Sequence, residues 1–333
     1  MGVVGFSSLT SLMMTEKKGF KELCGSPQIV SGTGEDSHIQ ITALRKHVQV
    51  LTEKSFAGRR AGTRGEAMTG RYLAAQLQEM GLEPAGDEGT FFQGFPLPEM
   101  TLRREGKRTV FYKLKNSSQQ AAENILGVIR GKQDSSQYIV LSAHLDHLGI
   151  GENNLYPGAN DNASGVATVL EIARLLGEKK EQLPYSVLIA FWSAEEMGLI
   201  GSRYFIQHPS FPLEVMRLNI NLDSIGSGEK NRFVFWTKNL NGLPEWLSVS
   251  GLNYSALELV GQLETMHSSD HRAFLEREVP AVTFLAENWL ENNHTPLDRA
   301  GGLNYEKMAA LGQFVQGIFF SSELEKLFDY LQI

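Results

Sequence analysis

His144-Leu145-Asp146-His147 closes an apolar run, and the turn Pro157-Gly158-Ala159-Asn160-Asp161-Asn162-Ala163-Ser164-Gly165 follows soon after. Glu195-Glu196, Asp223 and His294 come later in the chain. His144 and His294 with three of these carboxylates form a hard and borderline donor set suited to a pair of zinc ions, and a fourth carboxylate is left over to handle protons. The charges agree. Two Zn²⁺ bring four positive charges, three carboxylates bring three negative ones, and one bridging hydroxide would neutralise the site. Water on Zn²⁺ ionises near about pH 7. Such a hydroxide is the nucleophile needed to split an amide whose carbonyl the metals polarise. One of the adjacent glutamates can ligate while its neighbour shuttles the proton to the leaving amine. The pattern reads as a two-metal hydrolase.

Elements of alternating type must position these residues. Leu44, Val48 and Leu51 recur at helical spacing, as do Leu73, Leu77 and Met80 before a capping Gly81. Strand-like runs follow over Arg108 to Leu114, Asn124 to Arg130 and Tyr138 to Ala143. Val166 to Leu176 predicts a helix, Tyr185 to Trp192 a buried strand, and Gly198 to His208 a short helix. Leu218 to Leu222, Asn231 to Thr237 and Ala281 to Ala286 read as strands, and Met308 to Ile318 as a closing helix. This order implies an α/β three-layer sandwich with a mixed, mostly parallel sheet and helices on both faces. Ligands of such sheets bind beyond the carboxyl ends of the strands. His144, Glu195-Glu196, Asp223 and His294 each follow a predicted strand, a placement scattered surface residues would not share.

Composition narrows the alternatives. A chain of 333 residues with 42% hydrophobic and 21% charged residues is ordinary for a globular protein. Its net charge of −7 argues against general nucleic-acid binding. Cys24 is the only cysteine, which excludes an intrachain disulfide and a thiolate zinc site. No apolar run approaches the ~20 residues of a membrane span. Residues 1–36 read as a weakly structured arm and 37–333 as one domain. With no clear export signal the compartment defaults to cytoplasmic, and export stays open.

The quoted segments resemble the zinc aminopeptidases of metallopeptidase family twenty-eight, which includes bacterial leucyl-type aminopeptidases and the glutamate carboxypeptidase group. The resemblance runs from about Ser55, through Gly58-Arg59-Arg60-Ala61-Gly62-Thr63 and Gly81-Leu82-Glu83-Pro84-Ala85-Gly86-Asp87, to the closing helix. It implies two zinc ions bridged by Asp161, with His144 and Asp223 on one and Glu196 and His294 on the other. Glu195 would be the general base, and Asp146 would orient the imidazole of His144. The likeness also implies a cis peptide bond between Asp161 and Asn162. Peptides with a free N-terminus would be the substrates; the oligomeric state is open.

The departures from the family pattern carry information too. Only about sixty residues separate Gly81 from Ala143, too few for an inserted protease-associated domain. Ser224, Asn292 and Asn293 stand where leucine-preferring relatives have bulkier or apolar residues, which predicts broad selectivity or a tilt toward small and polar side chains. His38, His47, His147 and His208 read as polar surface residues. Asp298 could cap a segment or touch the site, and Ser269 in Ser268-Ser269-Asp270-His271 could cap a helix or lie near substrate. Competing functions are carboxypeptidase or dipeptidase action, single-zinc glutaminyl cyclisation, and a non-catalytic peptide-binding relative. The pairing of His144 with Asp223 favours two metals, and the spare Glu195 favours catalysis.

Overall fold

Every residue of the strand Tyr185–Trp192 is buried, which is why its sequence is apolar without alternation: both of its faces are covered. The computed structural model describes residues 38–331 except 107, 115–118, 132–133, 152, 230, 239, 241–245, 248–249, 251, 253–256 and 264–267. The arm expected over residues 1–36 lies outside them. In chain order the strands are β1 (Glu83–Pro84), β2 (Phe92–Pro98), β3 (Met100–Glu105), β4 (Arg108–Lys113), β5 (Gln119–Ile129), β6 (Asp134–His144), β7 (Gly149–Gly151), β8 (Asn154–Tyr156), β9 (Tyr185–Trp192), β10 (Met216–Leu222), β11 (Arg232–Thr237), β12 (Glu258–Leu263) and β13 (Ala281–Ala286). The helices are α1 (Ile41–Leu51), α2 (Arg64–Glu79), α3 (Gly165–Glu178), α4 (Ile200–Gln207), α5 (His271–Leu275), α6 (Tyr305–Ile318) and α7 (Leu324–Leu331).

Among the described residues, nine strands form one mixed sheet in the order β1-β5-β9-β6-β10-β13-β11-β12, with β2 also paired to β5. The central strands β9, β6, β10 and β13 run parallel, whereas β5 and β11 join them antiparallel. Alternation along the strands sorts the core into two layers. Leu126, Val140, Leu188 and Trp192 meet Phe205 of α4 and Phe274 of α5 on one face. On the other, Gly127 lies under Leu77 of α2, and α3 packs against β6 and helices α1 and α6. Each large side chain buried in this way contributes about 1.5–3 kcal/mol. The expected three-layer α/β arrangement is present. Gly81 follows α2 with φ +75°, the left-handed cap expected of it. Strands β2, β3 and β12 and helix α7 are additions to the sequence reading; in α7 the buried Leu324, Leu327, Phe328 and Leu331 recur at helical spacing.

Candidate metal centre

The parallel strands all end on one side of the sheet, and their ends deliver the site. His144 is the last residue of β6, Asp223 directly follows β10, Glu195 and Glu196 lie in the turn after β9, and His294 lies in the loop after β13. Asp161 comes from the turn ahead of α3, where the Asp161–Asn162 peptide bond is cis as the resemblance implies. Ala194, Ser224 and His294 have φ of 56°, 52° and 56°. Side-chain-bearing residues adopt this left-handed backbone rarely. Gly158 at φ +60° sits so close to the site that a Cβ there would lie 2.5 Å from the His147 ring. Only glycine fits.

The Asp161 carboxylate is shared between two imidazoles. His144 Nε2 lies 3.2 Å from Oδ1 and His294 Nε2 lies 3.3 Å from Oδ2. His144 Nε2 also faces Asp223 Oδ1 at 3.4 Å, and His294 Nε2 faces Glu196 Oε2 at 2.8 Å. His294 Nδ1 lies 2.9 Å from the Thr109 carbonyl of β4, so an Nδ1–H donated there leaves the Nε2 lone pair aimed at the carboxylates. Asp146 does reach His144 Nδ1, but more closely through its carbonyl (3.3 Å) than through its carboxylate (3.7 Å). That carboxylate accepts the backbone N–H of Glu195 at 3.1 Å, so it also fixes the turn that carries the glutamate pair. The expected site residues are therefore brought together.

The carboxylates of this cluster favour positive charge beside them. Burial opposes charge on His144 and His294, yet Asp223 and Glu195 around the first, and Glu196 and Asp161 around the second, raise both imidazoles well above their usual value. Burial also works against ionising Asp161, but the surrounding histidines hold it well below the carboxylate range. Glu196, likewise buried, is held at about 2 by His294 and His147. Glu195 is pushed well above its usual value by burial and by Glu196, Asp270 and Asp223. His144, Asp161 and Asp223 present ligand atoms close enough to share one ion, as do His147, Asp161 and Glu196. A buried set of nitrogen and oxygen donors with excess negative charge fits zinc.

Several residues depart from their sequence reading. His147 is not a surface residue: it is fully buried, with Nδ1 2.6 Å from Glu196 Oε1. His47 is buried as well, against the Tyr72 hydroxyl at 2.6 Å. Ser269 caps no helix with its side chain; its hydroxyl donates to Asp223 Oδ2 at 2.7 Å. Asp298 receives the backbone N–H groups of Asn160 (2.7 Å) and Asp161 (3.0 Å), so it holds the loop that presents the shared carboxylate. Asn293 donates to Asp161 Oδ2 at 2.5 Å, and Asn292 faces a separate groove, leaving Ser224 and Asn293 in the cavity beside the centre. His267 lies outside the described residues.

Two supports escaped the sequence reading altogether. The Arg59 guanidinium is buried and donates to the carbonyls of Leu51, Leu145, Pro157 and Gly158, pinning the His144 and Asp161 loops to α1. Below Asp223, the side chains of Ser142, Asn219, Asn221, Ser269 and Thr283 form a buried hydrogen-bonded ladder through β6, β10 and β13. Ser142 in β6 and Asn219 and Asn221 in β10 interrupt otherwise apolar runs, and those were the signals available.

The comparisons with known proteins bear on the family and the fold. Residues 124–318 match the model of peptidase family M28. The chain is 31% identical to aminopeptidase YwaD of Bacillus subtilis over 219 residues, 61% of this chain and 45% of that protein. It is 28% identical to leucine aminopeptidase 2 of Trichophyton equinum over 173 residues, 47% of this chain and 32% of that protein. The chain thus spans less than half the length of both curated relatives. The solved structure of an aminopeptidase from Aneurinibacillus sp. strain AM-1 superposes with a TM-score of 0.66 at 18% identity, covering 85% of this chain and 93% of that one, and shares the fold. By the family match, which takes in all the candidate site residues, the chain belongs to peptidase family M28.

Proposed function

We propose that the chain is a zinc-dependent aminopeptidase that releases the N-terminal residue of peptides. The observation that carries this reading is Asp161, with one carboxylate oxygen facing His144 and the other facing His294. In this reading two zinc ions are held, one by His144 and Asp223, the other by Glu196 and His294, with Asp161 common to both. His147, whose Nδ1 approaches Glu196 Oε1, steadies that ligand rather than replacing His294. Bound zinc supplies Lewis acidity, polarising the scissile carbonyl and making water a usable nucleophile at neutral pH.

The chain's own groups do the rest. The Glu195 carboxylate takes a proton from the attacking water and returns it to the leaving amine nitrogen; its buried, carboxylate-rich setting favours holding that proton. Asp146 holds the Glu195 backbone N–H, so the carboxylate starts from a fixed turn. Ser269 holds Asp223, and Asn293 and Asp298 hold Asp161. Pre-set ligands of this kind lose little order on binding.

The reading is tested by reconstituting metal-free protein with zinc and comparing a free peptide with its N-acetylated form. Zinc-dependent release of the first residue from the free peptide alone is the expected result. Cleavage from the C-terminal end points to a carboxypeptidase instead. Cyclisation of an N-terminal glutamine with a single zinc replaces the proposal with the cyclase reading.

A further inference from the structure

The centre opens into a cavity of about 410 Å³, within the roughly 300–1,000 Å³ of small-ligand sites. Its metal end is acidic, with Asp161, Glu195, Glu196 and Asp223. Away from them the lining changes character: Trp236, Leu285 and Trp289 supply an apolar surface, and Arg108, Arg203 and Arg272 supply cations.

Each arginine is placed by structure that also builds the centre. Arg108 begins β4 and precedes Thr109, whose carbonyl orients His294. Its guanidinium lies 5.8 Å from the centroid of the Trp289 ring and makes no ion pair among the described residues. Arg203 is on α4, one turn beyond the glutamate-bearing loop, and Arg272 is on the neighbouring α5. One carboxylate oxygen, Glu276 Oε1, is shared between Arg203 (2.9 Å) and Arg272 (3.1 Å). Arg108 Nη2 and Arg203 Nε are buried N–H groups with no hydrogen-bond partner among the described residues. A buried donor left unpaired is costly, and a guanidinium fork is matched best by a carboxylate.

We propose that this cavity selects short peptides by a carboxylate, which Arg108 and Arg203 bind with help from Arg272 while the scissile amide lies against the Asp161 centre. The proposal rests on the peptidase reading and narrows its substrate class. The carboxylate has two possible sources: the side chain of an N-terminal glutamate or aspartate, or the C-terminus of a di- or tripeptide. The apolar surface of Trp236, Leu285 and Trp289 then covers the intervening carbon atoms.

Two substrate pairs separate the sources. Glutamyl and glutaminyl anilides differ only in the side-chain charge, and Ala-Ala-Ala and its C-terminal amide differ only at the other end. With the zinc-loaded enzyme, the acid member of one pair is cut with a kcat/KM at least about 10–100-fold higher, the worth of one charge-assisted hydrogen-bonded pair. Arg108→Gln and Arg203→Gln each lower that acid-to-amide ratio about tenfold or more. Arg130→Gln, whose partner is Glu83 on an edge of the sheet, leaves the ratio at its wild-type value. Ratios near one in both pairs, or a preference the cavity arginines do not control, overturn the proposal while the peptidase reading stands. If no peptide is cut at all, the peptidase reading fails instead. The same ratio is then read as calorimetric dissociation constants of the zinc-loaded Glu195→Gln protein, and equal affinity for acid and amide overturns the proposal there too.

Discussion

Exchanging one oxygen of Asp298 for an amide group is a small change that reaches the shared carboxylate without touching it. Asp298 is buried, and its two oxygens accept the N–H groups of Asn160 at 2.7 Å and Asp161 at 3.0 Å. Asp298→Asn keeps one acceptor and turns an NH₂ group toward a backbone donor. One charge-assisted hydrogen bond worth about 1.5–3 kcal/mol is lost, and a buried N–H is left unpaired at a cost of about 1–3 kcal/mol. Burial raises the Asp298 carboxyl above its usual value, so removing the charge recovers part of that loss. The net expectation is a destabilisation of about 2–3 kcal/mol. Because the freed N–H belongs to Asp161 or to Asn160 beside it, zinc affinity should fall about 10–100-fold, as for other partners that orient metal ligands. Urea unfolding of the metal-free protein measures the first effect, and competition with a chromophoric chelator measures the second. A variant that binds zinc within about twofold of wild type, whether or not it is less stable, refutes the reasoning that Asp298 positions Asp161.

Three further outcomes follow from named contacts. Arg59→Met removes the buried donors of four carbonyls, and breaking such a network should lower stability by about 3–5 kcal/mol; a melting temperature equal to wild type contradicts it. Glu66 is pushed up to about 7 by burial, against the opposing bonds from Ser193, Glu123 and Gly62. A carboxyl raised in the folded state stabilises fully below its unfolded value of 4.5 and loses that contribution as pH climbs through about 7, amounting to about 3 kcal/mol. Glu66→Gln should therefore flatten the loss of stability between about pH 5 and 8, and identical pH dependence in both proteins counts against it. His294→Gln should cost one bound zinc outright, whereas His147→Gln should keep both and weaken one by about 10–100-fold. The reverse ranking by metal analysis would exchange their roles.

The parts of the molecule legible in sequence were those set by one local pattern. Tyr185–Trp192 is apolar because both faces of its strand are covered, so its burial shows in composition. His144, the Glu195-Glu196 pair and Asp223 were readable because each lies at or just beyond a strand end, and strand ends are where this architecture gathers ligands. What failed to show were contacts between distant segments. His147 looks like an ordinary loop histidine until β9 brings Glu196 against it. Arg59 has no acid spaced to pair with it because its partners are carbonyls up to 99 residues away. Ser269 stayed open between a helix cap and a place near substrate because a short helix does begin near it; its hydroxyl serves Asp223, 46 residues earlier. The arginines of the cavity come from β4, α4 and α5, elements whose convergence no single stretch encodes.

The central claim is that Asp161 joins two zinc sites, with Glu196 a ligand and its neighbour Glu195 the proton carrier. Zinc stoichiometry of the Glu195→Gln and Glu196→Gln proteins, measured beside their kcat on a free peptide, tests it most directly. The account predicts that Glu195→Gln keeps two zinc ions and near-normal stability while kcat falls about 10²–10⁴-fold, the usual worth of a positioned proton carrier. Glu196→Gln should hold one zinc tightly and recover activity in part when zinc is raised. Metal loss from Glu195→Gln with a zinc-replete but inactive Glu196→Gln would contradict the assignment, and a single tight zinc in fully active wild-type protein would contradict the shared centre itself.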